Sequence, residues 1–264
     1  MKHAAAPTSH CDPACTTAPA VHALRITLAD GRVRLDRVPP SIPTGQCQVW
    51  RWRMVDNTDI LAACHDLLSA QERQRADSFL VQPARRVFIQ VRALLRLVLG
   101  EHLGEDPRGI RFDYGRYQKP ALADDGSDTH FNVAHSGDYA LIAIARGTEV
   151  GVDIEHMRHK NNLPGLAAQI LSASETQHWE GLDDETRFKA FFYAWTIKEA
   201  VSKAVGQGLQ LDFKTLEAGL AQVEKGLDDA AGQTLRAGGF GLCKVFALPA
   251  PEDYSAALAL RSVG

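Results

Sequence analysis

The chain has 264 residues, 45% of them hydrophobic and 23% charged, with a formal net charge of −3. This is the composition of a globular protein long enough for one large domain or two smaller ones, and its near-neutral balance points to no nucleic acid and no anionic membrane as partner. No apolar run reaches the ~18 residues of a membrane span, and the N-terminus lacks a signal peptide's apolar core, so a cytoplasmic location is expected.

Residues 1–45 are expected to be a poorly ordered arm, because the first 23 are rich in Ala, Pro, Thr and His, and Pro39, Pro40, Pro43 and Gly45 follow. Cys11 and Cys15 have no second Cys/His pair at finger spacing, and with Cys47, Cys64 and Cys243 they read as reduced thiols. Folded structure is expected from Cys47, where QVWRWRMV alternates as a strand. Ser69-Ala-Gln-Glu72 is a capping-box pattern opening a helix to about Phe79. A longer helix follows Pro83, interrupted from Gly100 to Gly109, and a short strand is expected at 109–113. His130–His135 and Tyr139–Ala145 read as a hairpin closed at Ser136-Gly137-Asp138.

After Gly147 the same kinds of element recur: a strand at Glu149–Glu155, a short helix at Ser172–Trp179, a long helix at Asp184–Val205, and strands near 243–248 and 255–260. The pattern predicts an α+β fold of two similar α/β halves, 46–146 and 147–264. No repeat of residue identity is read alongside it.

Four segments carry candidate chemistry. In Val-Gly-Val-Asp-Ile-Glu, strand alternation puts Asp153 and Glu155 on one face, where a hard cation such as Mg²⁺ would relieve their repulsion. Alone, the pair also fits a solvated strand end. In Trp195-Thr-Ile-Lys-Glu-Ala-Val-Ser-Lys203, Glu199 and Lys203 share a helix face, which also fits an ordinary i,i+4 pair. His135, before the Ser-Gly turn, can present its ring to an anion. A nucleophile-elbow reading of Ser136 fails because Ala-His-Ser-Gly-Asp is not G-x-S-x-G. Tyr114-Gly-Arg-Tyr-Gln-Lys-Pro120 is a loop with two cations that fits a phosphate clamp or a plain connection. Arg73, Arg75, Arg85, Arg86, Arg92 and Arg96 form an excess of positive charge that reads as a solvated helix face or a basic wall.

Taken together, GRYQKP, FNVAHSGD, VGVDIE and WTIKEAVSK resemble, in order and spacing, the motif set of the Sfp-type 4′-phosphopantetheinyl transferases, over roughly Ser69 to Leu209. The resemblance implies two α/β halves related by pseudo-twofold symmetry, with coenzyme A in the cleft between them. It implies Asp153, Glu155 and Glu199 as Mg²⁺ ligands, with Glu199, Lys203 and His135 as the catalytic residues. Lys203 and Asp153 would also meet the coenzyme A phosphates. Arg75, Arg116, Lys119 and Pro120 would hold the 3′-phosphoadenosine end, and Asn132 and Ala134 would flank the adenine through their backbone. Gln118 departs from the family's glycine in that loop. The implied partner is an apo acyl or peptidyl carrier protein, docked around Leu163–Tyr193 through Leu166, Ile170, Leu171 and Phe188 or leaving those residues to the core. A monomer is expected. The rival functions are a non-catalytic module binding coenzyme A or a carrier protein, and a metal-dependent phosphohydrolase.

Overall fold

The computed structural model describes residues 18–36, 42–115, 119–123, 126, 128–159, 162–224 and 232–262. Three short strands come first: β1 (Val21–Ala23), β2 (Ile26–Ala29) and β3 (Arg32–Leu35). They correct the expectation of a poorly ordered arm for this stretch. β1 pairs in parallel with the edge of β4 (Cys47–Arg53), and Leu24, Val33 and Ile42 are buried. Widely spaced single apolar residues give no periodic signal, yet each fills a site on the core of the first half.

The first half continues with α1 (Thr58–Leu67), α2 (Ala70–Asp77) and α3 (Gln82–Leu103), then β5 (Phe112–Tyr114), β6 (Pro120–Leu122), β7 (Thr129–Ser136) and β8 (Tyr139–Arg146). The second half holds β9 (Thr148–His156), α4 (Leu163–Ile170), α5 (Ala173–Glu180), α6 (Asp184–Val205), α7 (Ala221–Glu224), β10 (Gln233–Arg236), β11 (Leu242–Ala247) and β12 (Tyr254–Ser262). The expected interruption at Gly100 does not occur. α3 runs through Gly100, where a side chain would come within 2.9 Å of Glu105 O and Pro107 Cγ, and stops at the left-handed Gly104. The strand expected at 109–113 begins later, because Ile110 is held by its carbonyl, which accepts from Arg96 Nη1 at 2.9 Å.

One sheet has the order β1-β4-β8-β7 and the other β10-β11-β12-β9. Each half therefore repeats one plan: a strand, then three helices of which the third is the longest, and later a hairpin whose second strand pairs beside the first strand; the second half adds the short α7 ahead of its hairpin. α3 and α6 are both 22 residues long and both end on a left-handed glycine, Gly104 at φ 70° and Gly206 at φ 72°. Both α2 and α5 open on capping boxes, Ser69 with Glu72 and Ser172 with Glu175. Those glutamates anchor the long helices. Arg96 Nε donates to Glu72 Oε2 at 2.7 Å, and Lys198 Nζ donates to Glu175 Oε2 and to the carbonyls of Ile170 (2.8 Å) and Phe213 (3.0 Å).

The sequence holds a trace of this repeat: Leu68-Ser-Ala-Gln-Glu72 returns as Leu171-Ser-Ala-Ser-Glu175. The two sheets share a core in which Val49, Leu141 and Ala143 meet Val150, Val152, Ile154 and Leu258. Among the described residues no helix is long and apolar enough to cross a membrane.

Candidate active site

β9 alternates. Val152 and Ile154 enter the shared core, while Gly151, Asp153 and Glu155 face α6. Gly151 lets the helix come close: a Cβ there would stand 2.0 Å from Ala200 O and 2.4 Å from Ala204 N. This contact brings Glu199 and Lys203 over the two carboxylates. Lys203 Nζ donates to Asp153 Oδ1 at 2.6 Å and to the Val152 carbonyl at 3.2 Å. Asp153 is buried, and its Oδ2 has no hydrogen-bond partner among the described residues. Burial pushes the Asp153 carboxyl above the usual range, Lys203 opposes the shift, and Glu155 adds to it. Glu199 is raised in the same way, first by burial and then, against Lys203, by Asp153 and Glu155.

The last residue of β7 supplies the next contacts. Ser136 Oγ donates to Glu155 Oε2 at 3.0 Å and accepts from the His156 N–H at 3.1 Å. β7 itself divides its side chains between two faces. Asn132, Ala134 and Ser136 face β9, with Asn132 Oδ1 accepting from the Val152 N–H at 2.9 Å and Ala134 in the shared core. Phe131, Val133 and His135 face the other way, and the last two line a cavity of about 620 Å³ against α3. His135 is exposed, yet partial desolvation and then the Lys203 ammonium lower its pKa, with Asp153 opposing.

Arg75 and Pro120 line that same cavity, as does Arg92. Lys119 does not. Its ammonium donates to Glu149 Oε2 at 3.1 Å and to the Val150 carbonyl at 3.2 Å, lining a second cavity beside Gly206 and Arg261. Burial lowers the Lys119 pKa, and Glu149 opposes the shift. Glu149, hydrogen-bonded to His130 and facing Lys119, is held down to about 2. Arg116 and Gln118 lie outside the described residues. Of the apolar residues offered as docking contacts, Ile170 and Leu171 are buried in the core beneath α6, whereas Leu166 and Phe188 are only partly covered. Their burial removes Ile170 and Leu171 from any docking surface.

Asp153, Glu155, Glu199, Lys203 and His135 thus share one neighbourhood, and Arg75 and Pro120 line the adjoining cavity. Among the described residues, however, no three His, Cys, Asp or Glu side chains stand as a ready metal-binding group. Lys203 occupies one oxygen of Asp153, and Ser136 holds Glu155. Sequence reasoning overlooked Gly151, Glu149 and the link from Ser136 to Glu155. Only Gly151 had a legible signal, its two-residue spacing from Asp153.

Two family profiles match the chain: the 4′-phosphopantetheinyl transferase superfamily over residues 149–259, and a 4′-phosphopantetheinyl transferase N-terminal profile over 51–146. The chain is 35% identical over 186 residues to the 4′-phosphopantetheinyl transferase HetI of a Nostoc species, covering 70% of this chain and 73% of that protein. It is 35% identical to a putative 4′-phosphopantetheinyl transferase of Synechocystis, covering 60% of this chain and 65% of that one. To the 4′-phosphopantetheinyl transferase of Bacillus subtilis it is 30% identical over 160 residues, 58% of this chain and 66% of that protein. With both halves matched by profiles of one enzyme class and a relative 35% identical over 73% of its length, the chain belongs to the 4′-phosphopantetheinyl transferase superfamily.

Proposed function

We propose that the cleft around Asp153 and Lys203 transfers the 4′-phosphopantetheine arm of coenzyme A to a serine of an apo acyl or peptidyl carrier protein, with release of 3′,5′-ADP. The observation that carries the residue assignment is the pairing of Lys203 with a buried Asp153 whose second oxygen is unmet among the described residues. A buried carboxylate left partly unpaired is costly in a purely structural site.

Three mutually repelling carboxylates, one with an unpaired buried oxygen, form a donor set suited to a hard divalent cation. Asp153, Glu155 and Glu199 would hold Mg²⁺. When bound there, Mg²⁺ supplies positive charge to the phosphate oxygens of coenzyme A. Glu199, its pKa raised by burial, accepts the proton of the attacking serine hydroxyl. That oxygen attacks the phosphorus attached to pantetheine, and the phosphoanhydride bond to 3′,5′-ADP breaks. Lys203 moves from Asp153 to the departing phosphate and offsets the charge gathering there. His135, kept neutral by its surroundings, donates one ring N–H to a coenzyme A phosphate.

Arg75 and Pro120 border the 3′-phosphoadenosine, as do Arg116 and Lys119, the latter after exchanging Glu149 for phosphate. Asn132 and Ala134 contribute backbone groups. Because both halves of one chain complete the cleft, a monomer suffices, in the cytoplasm. Leu166 and Phe188 remain the apolar contacts open to a carrier. Intact-mass measurement of an apo carrier protein incubated with coenzyme A, Mg²⁺ and the enzyme tests the proposal. The carrier should gain one phosphopantetheine. An unmodified carrier with coenzyme A intact would favour a binding module, and free phosphopantetheine a phosphohydrolase.

A further inference from the structure

We infer that Arg92 on α3 is a ligand-binding residue, which with Arg75 forms the anion end of the α3–β7 cavity and takes the 3′-phosphate of coenzyme A. The inference rests on the transferase reading above, and four observations lead to it.

First, Arg92 lines this cavity beside Arg75 and His135. Its side chain is 11% exposed, and Nη1 is buried with no hydrogen-bond partner among the described residues. Its nearest carboxylate is a poor match. Nε lies 3.5 Å from Glu72 Oε1, beyond charge-assisted hydrogen-bond range, while Glu72 Oε2 is already committed to Arg96 at 2.7 Å. Burial lowers the Arg92 pKa, Tyr114 and Glu72 oppose the shift, and the neighbouring Arg75 and Arg96 add to it.

Second, the guanidinium is fixed in place by aromatic rings. It lies 5.1 Å from the Phe112 centroid, 5.9 Å from that of Tyr114 and 5.8 Å from that of Phe88, and Arg75 lies 5.4 Å from the same Phe88 ring. One ring therefore holds two guanidinium groups at a single cavity.

Third, the fold does not require this arginine. Counted from the helix start, Arg96 on α3 corresponds to Lys198 on α6, and both anchor the capping-box glutamate of the preceding helix. Arg92 corresponds to Ala194, a fully buried alanine. The architecture keeps a cation at one position in both halves, and at the other only in the half that owns the cavity.

Fourth, Lys119 is committed to Glu149 and lines a different cavity, so it does not share the Arg75 cavity in this structure. Arg92 does. Two guanidinium forks at the end of an apolar pocket suit a phosphate monoester attached to a flat base, with Val87, Val91 and Leu95 available to the base.

The test is calorimetric binding of 3′,5′-ADP and of 5′-AMP, in Mg²⁺ buffer, to wild type, Arg92→Met and Arg92→Lys. Wild type should prefer 3′,5′-ADP. Arg92→Met should lose about 10- to 150-fold on 3′,5′-ADP, the worth of one charge-assisted contact, and stay within about twofold on 5′-AMP. Arg92→Lys should recover part of the preference. An unchanged preference in Arg92→Met overturns the inference. So does equal weakening of both ligands, which would make Arg92 a structural partner of Glu72. Should Arg92→Met fail to fold, Arg92→Lys decides alone: a wild-type preference there overturns the inference, because an ammonium does not reproduce the fork. Wild type that binds neither 3′,5′-ADP nor coenzyme A overturns the transferase reading and this inference with it.

Discussion

In the first half, β4 gives Trp50 and Trp52 to the core beneath α3, where they pack with Leu94, Leu95, Val98 and Leu99. In the second half, β9 offers α6 a glycine and two carboxylates, Gly151, Asp153 and Glu155. The frame around both is the same: a capping-box helix, a 22-residue helix, a left-handed glycine and a buried ion pair between the two helices. What differs is the face between strand and helix. The first half fills it with indole and leucine, and the second leaves room for charge. A duplicated frame can carry a reactive site on one copy because the buried ion pairs, not that face, hold each long helix to its neighbour.

The comparison can be broken at several points. The largest effect is expected from Asp153→Asn, which should cut carrier modification by at least about 10³-fold, as loss of a preorganised electrostatic group does. The melting temperature should hold or rise, since the substitution removes a buried charge whose folded pKa is raised. A variant that loses its fold along with its activity would make Asp153 a packing residue like Trp50.

Next come Arg96→Met and Lys198→Met, each of which strands a buried glutamate and should cost about 3–5 kcal/mol in denaturant unfolding. Near-equal losses would establish the two pairs as one device. A loss in one half only would reduce the likeness to shape.

Glycine substitutions sharpen the contrast at smaller scale. Gly151→Ala should destabilise by about 1–3 kcal/mol through overpacking, with a fall in kcat as α6 is pushed off Asp153. Gly100→Ala meets its neighbours at 2.9 Å rather than 2.0 Å and should cost less, with kcat unchanged. Thermal melts and steady-state kinetics on both variants separate the two.

The smallest effect concerns acid. Glu149 is held to about 2 in the fold against an unfolded value near 4.5, so its contribution is full above pH 4.5 and is lost as pH falls toward 2. That contribution is at most about 3 kcal/mol and less after solvent screening, since its side chain is 27% exposed. Glu149→Gln should flatten the acid limb of melting curves over this window. An unchanged limb would mean that the contacts of Glu149 with His130 and Lys119 add nothing.

Much of the frame was legible because its signals are local. Asp184–Val205 is read to the residue from its cap and stop, and the hairpin 130–145 from its turn. α1 and α4 went unread. Each rests on one asparagine cap, Asn57 or Asn162, ahead of a helix whose apolar face is short. The two similar halves were read from the order of elements, but their repeat of residue identity was overlooked because the packing faces differ chemically, tryptophan against aspartate, leaving little beyond the Leu-Ser-Ala-x-Glu cap and the helix-ending glycine as matching letters. At the site, Asp153, Glu155, Glu199 and Lys203 stood out by spacing. The partners that modify them did not, because Ser136 and Glu149 act through tertiary contacts that leave no periodicity in the chain.

The core shared by the two sheets bears on how the protein is made. A single residue, Gly147, separates β8 from β9, and once β8 has left the ribosome all four strands of the first sheet exist. Yet Val49, Leu141 and Ala143 then face water, because their cover is Val150, Val152, Ile154 and Leu258. β9 follows at once and brings only part of that cover. Leu258 belongs to β12, more than a hundred residues after β8 and the last strand among the described residues. The newborn first half therefore carries an open apolar face until β12 emerges, and that strand closes both halves in one event.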